Sequence, residues 1–133
     1  MKNLEGKTVI VTGGAAGIGG AITTELTERG AYVVAVDLND DAGKEKVATN
    51  PEKIAFLKGD ISKESVANEA VALAVSKFGK LTSVVNNAHA SRQKPLMELT
   101  DEDWALSMET GLKGTLHFMK AAYPELKKPK DLL

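Results

Sequence analysis

No cysteine occurs in the 133 residues, which excludes disulfides and thiolate chemistry and makes a reducing cytoplasm the simplest compartment. The opening MKNLEGKTVIV holds no long apolar stretch of the kind a secretory signal needs. No apolar run approaches the roughly eighteen residues required to cross a bilayer, so no membrane span is expected. Neither sign of charge is in excess: 17 basic residues stand against 18 acidic ones, for a net charge of −1, and there is no extended basic run. A nucleic-acid or anionic-membrane partner therefore has no electrostatic support. The two histidines, His89 and His117, have no neighbours that suggest a metal site, and none is expected. Internal repeats, low-complexity tracts and Pro/Gly/Ser-rich linkers are also missing. What remains is ordinary globular composition, 43% apolar and 26% charged, and residues 1–133 read as a single domain with one core.

The informative segment is Thr12 to Gly19, TGGAAGIG. It follows the apolar run Thr8 to Val11 and opens an amphipathic stretch ending near Arg29, so strand, glycine turn and helix stand in that order. Glycine tolerates positive φ and lets the backbone approach a ligand closely, while the unpaired amides and dipole of the following helix attract a pyrophosphate. The spacing Gly13, Gly17, Gly19 is looser than a strict GxGxxG. Asp37 follows Gly17 by twenty residues, at the end of a second apolar run, Tyr32 to Val36, where a carboxylate can accept from both hydroxyls of a ribose. Dinucleotide binding is the leading reading. Unliganded turns also collect glycine, and a carboxylate at 37 also suits a helix cap or loop, so these alternatives stand beside it.

The remaining pattern alternates. Helix Gly17 to Arg29 precedes strand Tyr32 to Val36, a short helix about Asp41 to Ala48 and strand Ile54 to Leu57. Helix Ser65 to Phe78 carries Val66, Ala70, Ala74 and Phe78 at four-residue spacing, stops at Gly79, and leads to strand Ser83 to Asn86. Continuous apolar strands such as Val33 to Val36 fit a parallel sheet covered on both faces. Right-handed crossovers then predict an α/β doubly wound sheet of order 3-2-1-4, with a crevice at the carboxyl ends of strands one and four. Thr100 with Asp103 fits a capping box, opening a helix that runs through Trp104 and Met108, bends at Gly111 and resumes to about Leu126. Trp104, Met108 and Met119 read as core, and His117 as a surface or packing residue.

The TGxxxGIG run after VIVTG resembles the short-chain dehydrogenase/reductase family, and further segments match in order over nearly the whole chain. Gly59, Asp60 and Ile61 sit where that family's third strand offers an acidic residue toward the adenine, although a solvated turn Asp before Ser62 is an alternative. Asn86, Asn87 and Ala88 look like its NNAG segment. The resemblance implies the N-terminal half of a Rossmann-like fold and hydride transfer between a nicotinamide cofactor and a carbonyl or alcohol. Its cofactor-binding residues would be Gly13, Ala15, Ala16, Gly17, Ile18, Gly19, Asp37, Leu38, Asp60, Ile61, Asn87 and Ala88. A 2′-phosphate near Asp37 would meet a carboxylate with only Ala15, Ala16 and Leu38 beside it, so NAD is favoured over NADP.

The same resemblance places the family's catalytic Ser and YxxxK pair beyond the segment matching Leu116 to Lys128, and the chain stops at Leu133. Its catalytic Asn, in a VNLKG-like run, falls at Gly111. Tyr123 and Lys127 have YxxxK spacing but enclose Pro124 and come early, so they read as helix-terminal residues. No catalytic residue is assigned. His89 replaces the family's glycine after Asn87 and Ala88 and reads as an exposed loop histidine or a mild steric change rather than a proton relay. Without further strands, the fourth strand, with Val84 and Val85, becomes an open edge, and the last helix, which often builds subunit contacts in the family, loses packing surface. Self-association into homo-oligomers, or instability, is expected. Three functions remain: an NAD-dependent oxidoreductase, an NAD-binding module without catalysis, and a self-associating structural protein. The substrate is not legible, because in the family it is contacted largely by later loops.

Overall fold

The structure, a computed structural model, describes residues 3–129. Four strands form one parallel sheet: β1 (Thr8–Thr12), β2 (Tyr32–Asp37), β3 (Ile54–Lys58) and β4 (Ser83–Val85). Their order is β3-β2-β1-β4, as the alternation implied. β1 lies between its neighbours with Ile10 opposite Val34 on one side and Val84 on the other. Every residue of β1 is buried, because helices cover both faces.

The period of two divides these apolar runs between two cores. Ile10, Val34, Val36 and Ala55 point to the face covered by α3 (Glu64–Phe78) and by the last helix, meeting Ala67, Ala70, Ala74, Phe118 and Ala122. Val9, Val11 and Val33 point the other way, where Ile22 and Leu26 of α1 (Gly17–Glu28) close over them. The alanines of α3 let that helix lie close on the sheet, and Gly79 ends it in a left-handed turn, its amide donating to the Val75 carbonyl at 2.9 Å. α2 (Asp40–Thr49) borders β3 and is capped by Asn39, whose Oδ1 accepts from the Ala42 amide at 3.0 Å.

β4 is shorter than expected. The Asn87 amide donates to the Val85 carbonyl and the chain turns toward β1 at Asn86 instead of extending the ladder. Beyond it lie a loop, a single turn at Leu96–Glu98 and α4 (Asp101–Ser107), opened by the predicted reciprocal capping box of Thr100 and Asp103. At Gly111, where the sequence predicts a bend, the helix is irregular but unbroken. A π-helical turn, Met108–Lys113, carries α4 directly into α5 (Gly114–Leu126), accommodating the glycine by a wider turn rather than a break.

Trp104, Met108 and Met119 are not core: they are 70%, 37% and 59% exposed. Thr110, Gly114, Phe118 and Ala122, four residues apart, form the buried face of this helical stretch. Trp104, Met108, Leu112, Leu116, Met119 and Tyr123 form a second apolar stripe that faces outward. A helix apolar on two arcs does not reveal from sequence which arc meets the sheet.

Candidate functional site

The site begins at the carboxyl end of β1. Gly13 leaves the strand at φ 64°, and its amide donates to the Val36 carbonyl at 2.7 Å, so the turn crosses toward β2 before reversing into α1. α1 starts behind Ala16 with no side-chain cap and no acidic residue in its first turn, leaving its N-terminal amides facing outward beneath the dipole. Gly19 is dictated by packing. A Cβ there would overlap the Gly13 carbonyl and lie 2.6 Å from Asn87 Nδ2. Thr23 holds the turn from below, its Oγ1 within 2.9 Å of the Gly14 carbonyl and 3.1 Å of the Gly19 carbonyl.

Thr12 joins the two strand ends. Its Oγ1 accepts from the Asn87 amide at 3.0 Å and the Ala88 amide at 2.9 Å, while Asn87 Nδ2 donates to the Thr12 carbonyl at 3.0 Å. Sequence reasoning missed Thr12, because its role exists only once β4 lies beside β1. At the tip of β2, the Asp37 carboxylate accepts from the Ala15 amide at 3.2 Å and the Asn39 amide at 3.1 Å. Each oxygen keeps free lone-pair capacity for a further donor. Asp60 accepts from the Ser62 amide at 2.9 Å, and hydrogen bonding from Ser62 holds its carboxyl below the usual carboxylate range.

The far wall is a loop held by the last helical stretch. Thr110 Oγ1 accepts from the Ala90 amide at 3.0 Å. Further along, Lys94 and Arg92 reach buried Asp103 at 2.7 and 3.3 Å. The Lys94 ammonium, then the Thr100 amide, hold the Asp103 carboxyl far below the usual carboxylate range.

These parts surround one cavity of about 370 Å³. Gly13, Ala16, Ile18, Gly19, Asp37, Leu38, Asp60, Ile61, Asn87 and Ala88, all expected at the site, line it. Ala15 and Gly17 do not: Ala15 is buried beneath the turn, where its amide meets Asp37, and Gly17 supplies a φ of 60° at the start of α1. Val36, Gly59, His89, Ala90 and Thr110 complete the lining, and no Lys or Arg is among the lining residues. Tyr123 and Lys127 do touch, with Nζ 5.3 Å from the ring centroid, but at the exposed end of α5, away from the cavity. His117 is half-buried on α5, and among the described residues no group of three or more His, Asp or Glu side chains gathers. No helix among the described residues is long and apolar enough to cross a membrane.

A parallel sheet of order 3-2-1-4, wound by helices on both faces and carrying a glycine turn at its switch point, belongs to the Rossmann-like class. Within that class, the chain belongs to the short-chain dehydrogenase family, whose family model matches residues 7–131. It is 40% identical over 121 residues to 2,5-dichloro-2,5-cyclohexadiene-1,4-diol dehydrogenase of Sphingobium indicum, covering 90% of this chain and 48% of that one. It is 38% identical over 127 residues to L-fucose dehydrogenase of Rattus norvegicus, covering 94% and 46%. Among solved structures, a short-chain dehydrogenase/reductase from Brucella melitensis described as a glucose/ribitol dehydrogenase superposes with a TM-score of 0.88 at 35% identity, over 93% of this chain and 53% of that one. The chain thus spans about half the length of the curated relatives it matches. The family's members are oxidoreductases that use nicotinamide cofactors.

Proposed function

We propose that residues 1–133 form one NAD(H)-binding unit, the cofactor-binding half of a short-chain dehydrogenase, in which the adenosine ribose is held by Asp37 and the pyrophosphate by the start of α1. The observation that carries this reading is the convergence of the glycine turn, Asp37, Asp60 and Asn87 on a single cavity. The residues present fit the group. The uncapped α1 amides suit a pyrophosphate, the turn beside them carries no side chain larger than alanine between Gly13 and Gly17, and the Asp37 carboxylate has lone pairs to spare. Asp37, with no Lys or Arg in the cavity, disfavours a 2′-phosphate, so NAD is preferred over NADP.

When bound, the nicotinamide supplies or takes the hydride. No residue of this sequence is assigned to the acid/base part of carbonyl reduction, so the activity we propose for this chain alone is binding, and turnover on a carbonyl or alcohol substrate is proposed only for a full-length relative. The outward apolar stripe of α4 and α5 supports a further element of the reading, homo-oligomerisation through that stripe.

Calorimetric titration of the purified chain tests the assignment. NADH is expected to bind, NADPH to bind more weakly, and Asp37→Ala to weaken NADH by roughly tenfold or more, as loss of a charge-assisted hydrogen bond implies. A folded chain that binds neither nucleotide sinks the cofactor reading and leaves the apolar stripe as the functional surface.

A further inference from the structure

His89 is gripped on both sides by the backbone. The preceding Ala88 amide is tied to Thr12 Oγ1 at 2.9 Å, and the following Ala90 amide to Thr110 Oγ1 at 3.0 Å. Its ring is placed between two surfaces. On one side it borders the cavity, and on the other it rests against Gly111 in the π-helical turn. A Cβ at position 111 would stand 2.8 Å from His89 Cδ2 and 3.5 Å from Nε2. Because the flanking amides are fixed, such a Cβ would displace the exposed ring by side-chain rotation and not by moving the loop, and the cavity that His89 lines is one of the spaces open to it.

We propose that Gly111 is a positioning residue that holds the His89 imidazole back from the cavity, so that His89 and Gly111 together set the room left for the part of the dinucleotide beyond the pyrophosphate. The inference rests on the cofactor reading above. It assigns the two residues a joint steric role: the ring takes the space a side chain at 111 would fill, and the absence of that side chain keeps the Thr110 end of the cavity open. Asp37 and Leu38, at the carboxyl end of β2, are separated from His89 by β1 and are untouched by it.

The atoms Gly111→Ala would crowd belong to the ring of a single side chain, and alanine is the better helix former, so the variant is expected to fold with an undiminished Tm. The test compares NADH with ADP, which lacks the second ribose and the nicotinamide, by calorimetry. Gly111→Ala is expected to weaken NADH about tenfold while leaving ADP unchanged. In the double variant His89→Ala/Gly111→Ala, NADH affinity returns to that of His89→Ala alone. His89→Trp, which leaves position 111 intact, should reproduce the selective loss of NADH.

Parallel weakening of ADP and NADH, or a double variant as weak as Gly111→Ala, overturns the proposal. So does an NADH affinity that neither Gly111→Ala nor His89→Trp alters while ADP still binds, and in that case the cofactor reading survives. A parent chain that binds neither ADP nor NADH overturns the cofactor reading, and this inference with it.

Discussion

Thr12 satisfies two consecutive amides of one loop with one hydroxyl, and its consequences are measurable. Thr12→Val keeps the shape and strand preference of the side chain but leaves the Asn87 and Ala88 amides without their acceptor at a site where Thr12 is 1% exposed. A loss of about 2 kcal/mol is expected from urea denaturation, together with weaker NADH binding as the β1–β4 junction loosens. Unchanged stability would mean that water replaces the hydroxyl. Asp103 supplies a pH dependence. Its carboxyl is held far below the ordinary range by Lys94 and the Thr100 amide, so its ionised form is favoured in the folded state. The stabilisation is complete above the unfolded value near 4 and disappears as the pH falls below it toward the folded value. Asp103→Asn should therefore lower Tm at neutral pH, and its melting curve should approach that of the parent on acidification. Curves that stay parallel from neutral pH to about pH 2 would show that the pair with Lys94 contributes nothing. Asp37 was legible as an acidic residue ending an apolar run, and the glycines by their place between strand and helix. Thr12 and Thr110 were not legible, since a threonine at a strand end or inside a helix carries no periodic sign, and their partners lie 75 and 20 residues away.

At the scale of elements, sheet order followed from alternation because each βα unit has one favoured handedness, and β1 and β2 were apolar enough to require cover on both faces. The stretch from α4 to α5 was misread for a physical reason. Its sequence places apolar residues on two arcs, and the inward arc is the smaller-volume one, with Thr110, Gly114 and Ala122 around a single large residue, Phe118. Trp104 and the methionines attract attention by size, yet a helix pressed against a sheet favours small side chains at the closest approach. The same logic appears in α2, where buried Gly43 faces the ring of Phe56 on β3 and a Cβ would collide with it. In an open helix, Gly→Ala stabilises by about 1 kcal/mol. Here the sign is expected to invert, with Gly43→Ala costing roughly 1–3 kcal/mol through overpacking. The stabilising effect should reappear when Phe56→Leu is combined with it, as a double-mutant cycle in urea would show. Stabilisation by Gly43→Ala alone would mean that the ring swings away at no cost.

At the scale of the whole molecule, the fold protects its central strands and one long helical face differently. β1 and β2 are sealed from both sides, whereas Leu112, Leu116, Met119 and Tyr123 are between 51% and 63% exposed along one stripe. The outer edge of β4 has no strand partner among the described residues, and it runs for only three residues, too short to serve as a strong template for added strands. Association by this chain should therefore proceed through the helical stripe, where burying large side chains releases the most water-exposed apolar surface. Sedimentation of the 133-residue chain is expected to show a weight-average mass that rises with concentration. Leu112→Glu combined with Leu116→Glu should abolish that rise without lowering Tm at high dilution, since both side chains are exposed at 63% and 51%. Val84→Lys, on the strand edge, should leave it unaltered if the stripe is the contact. The reverse pattern, with Val84→Lys dispersing the assembly and the leucine variants associating as before, would assign self-association to the sheet edge. A chain that sediments as a monomer at all concentrations would remove homo-oligomerisation from the proposed function while leaving the proposed cofactor cavity, whose lining comes from one chain, untouched.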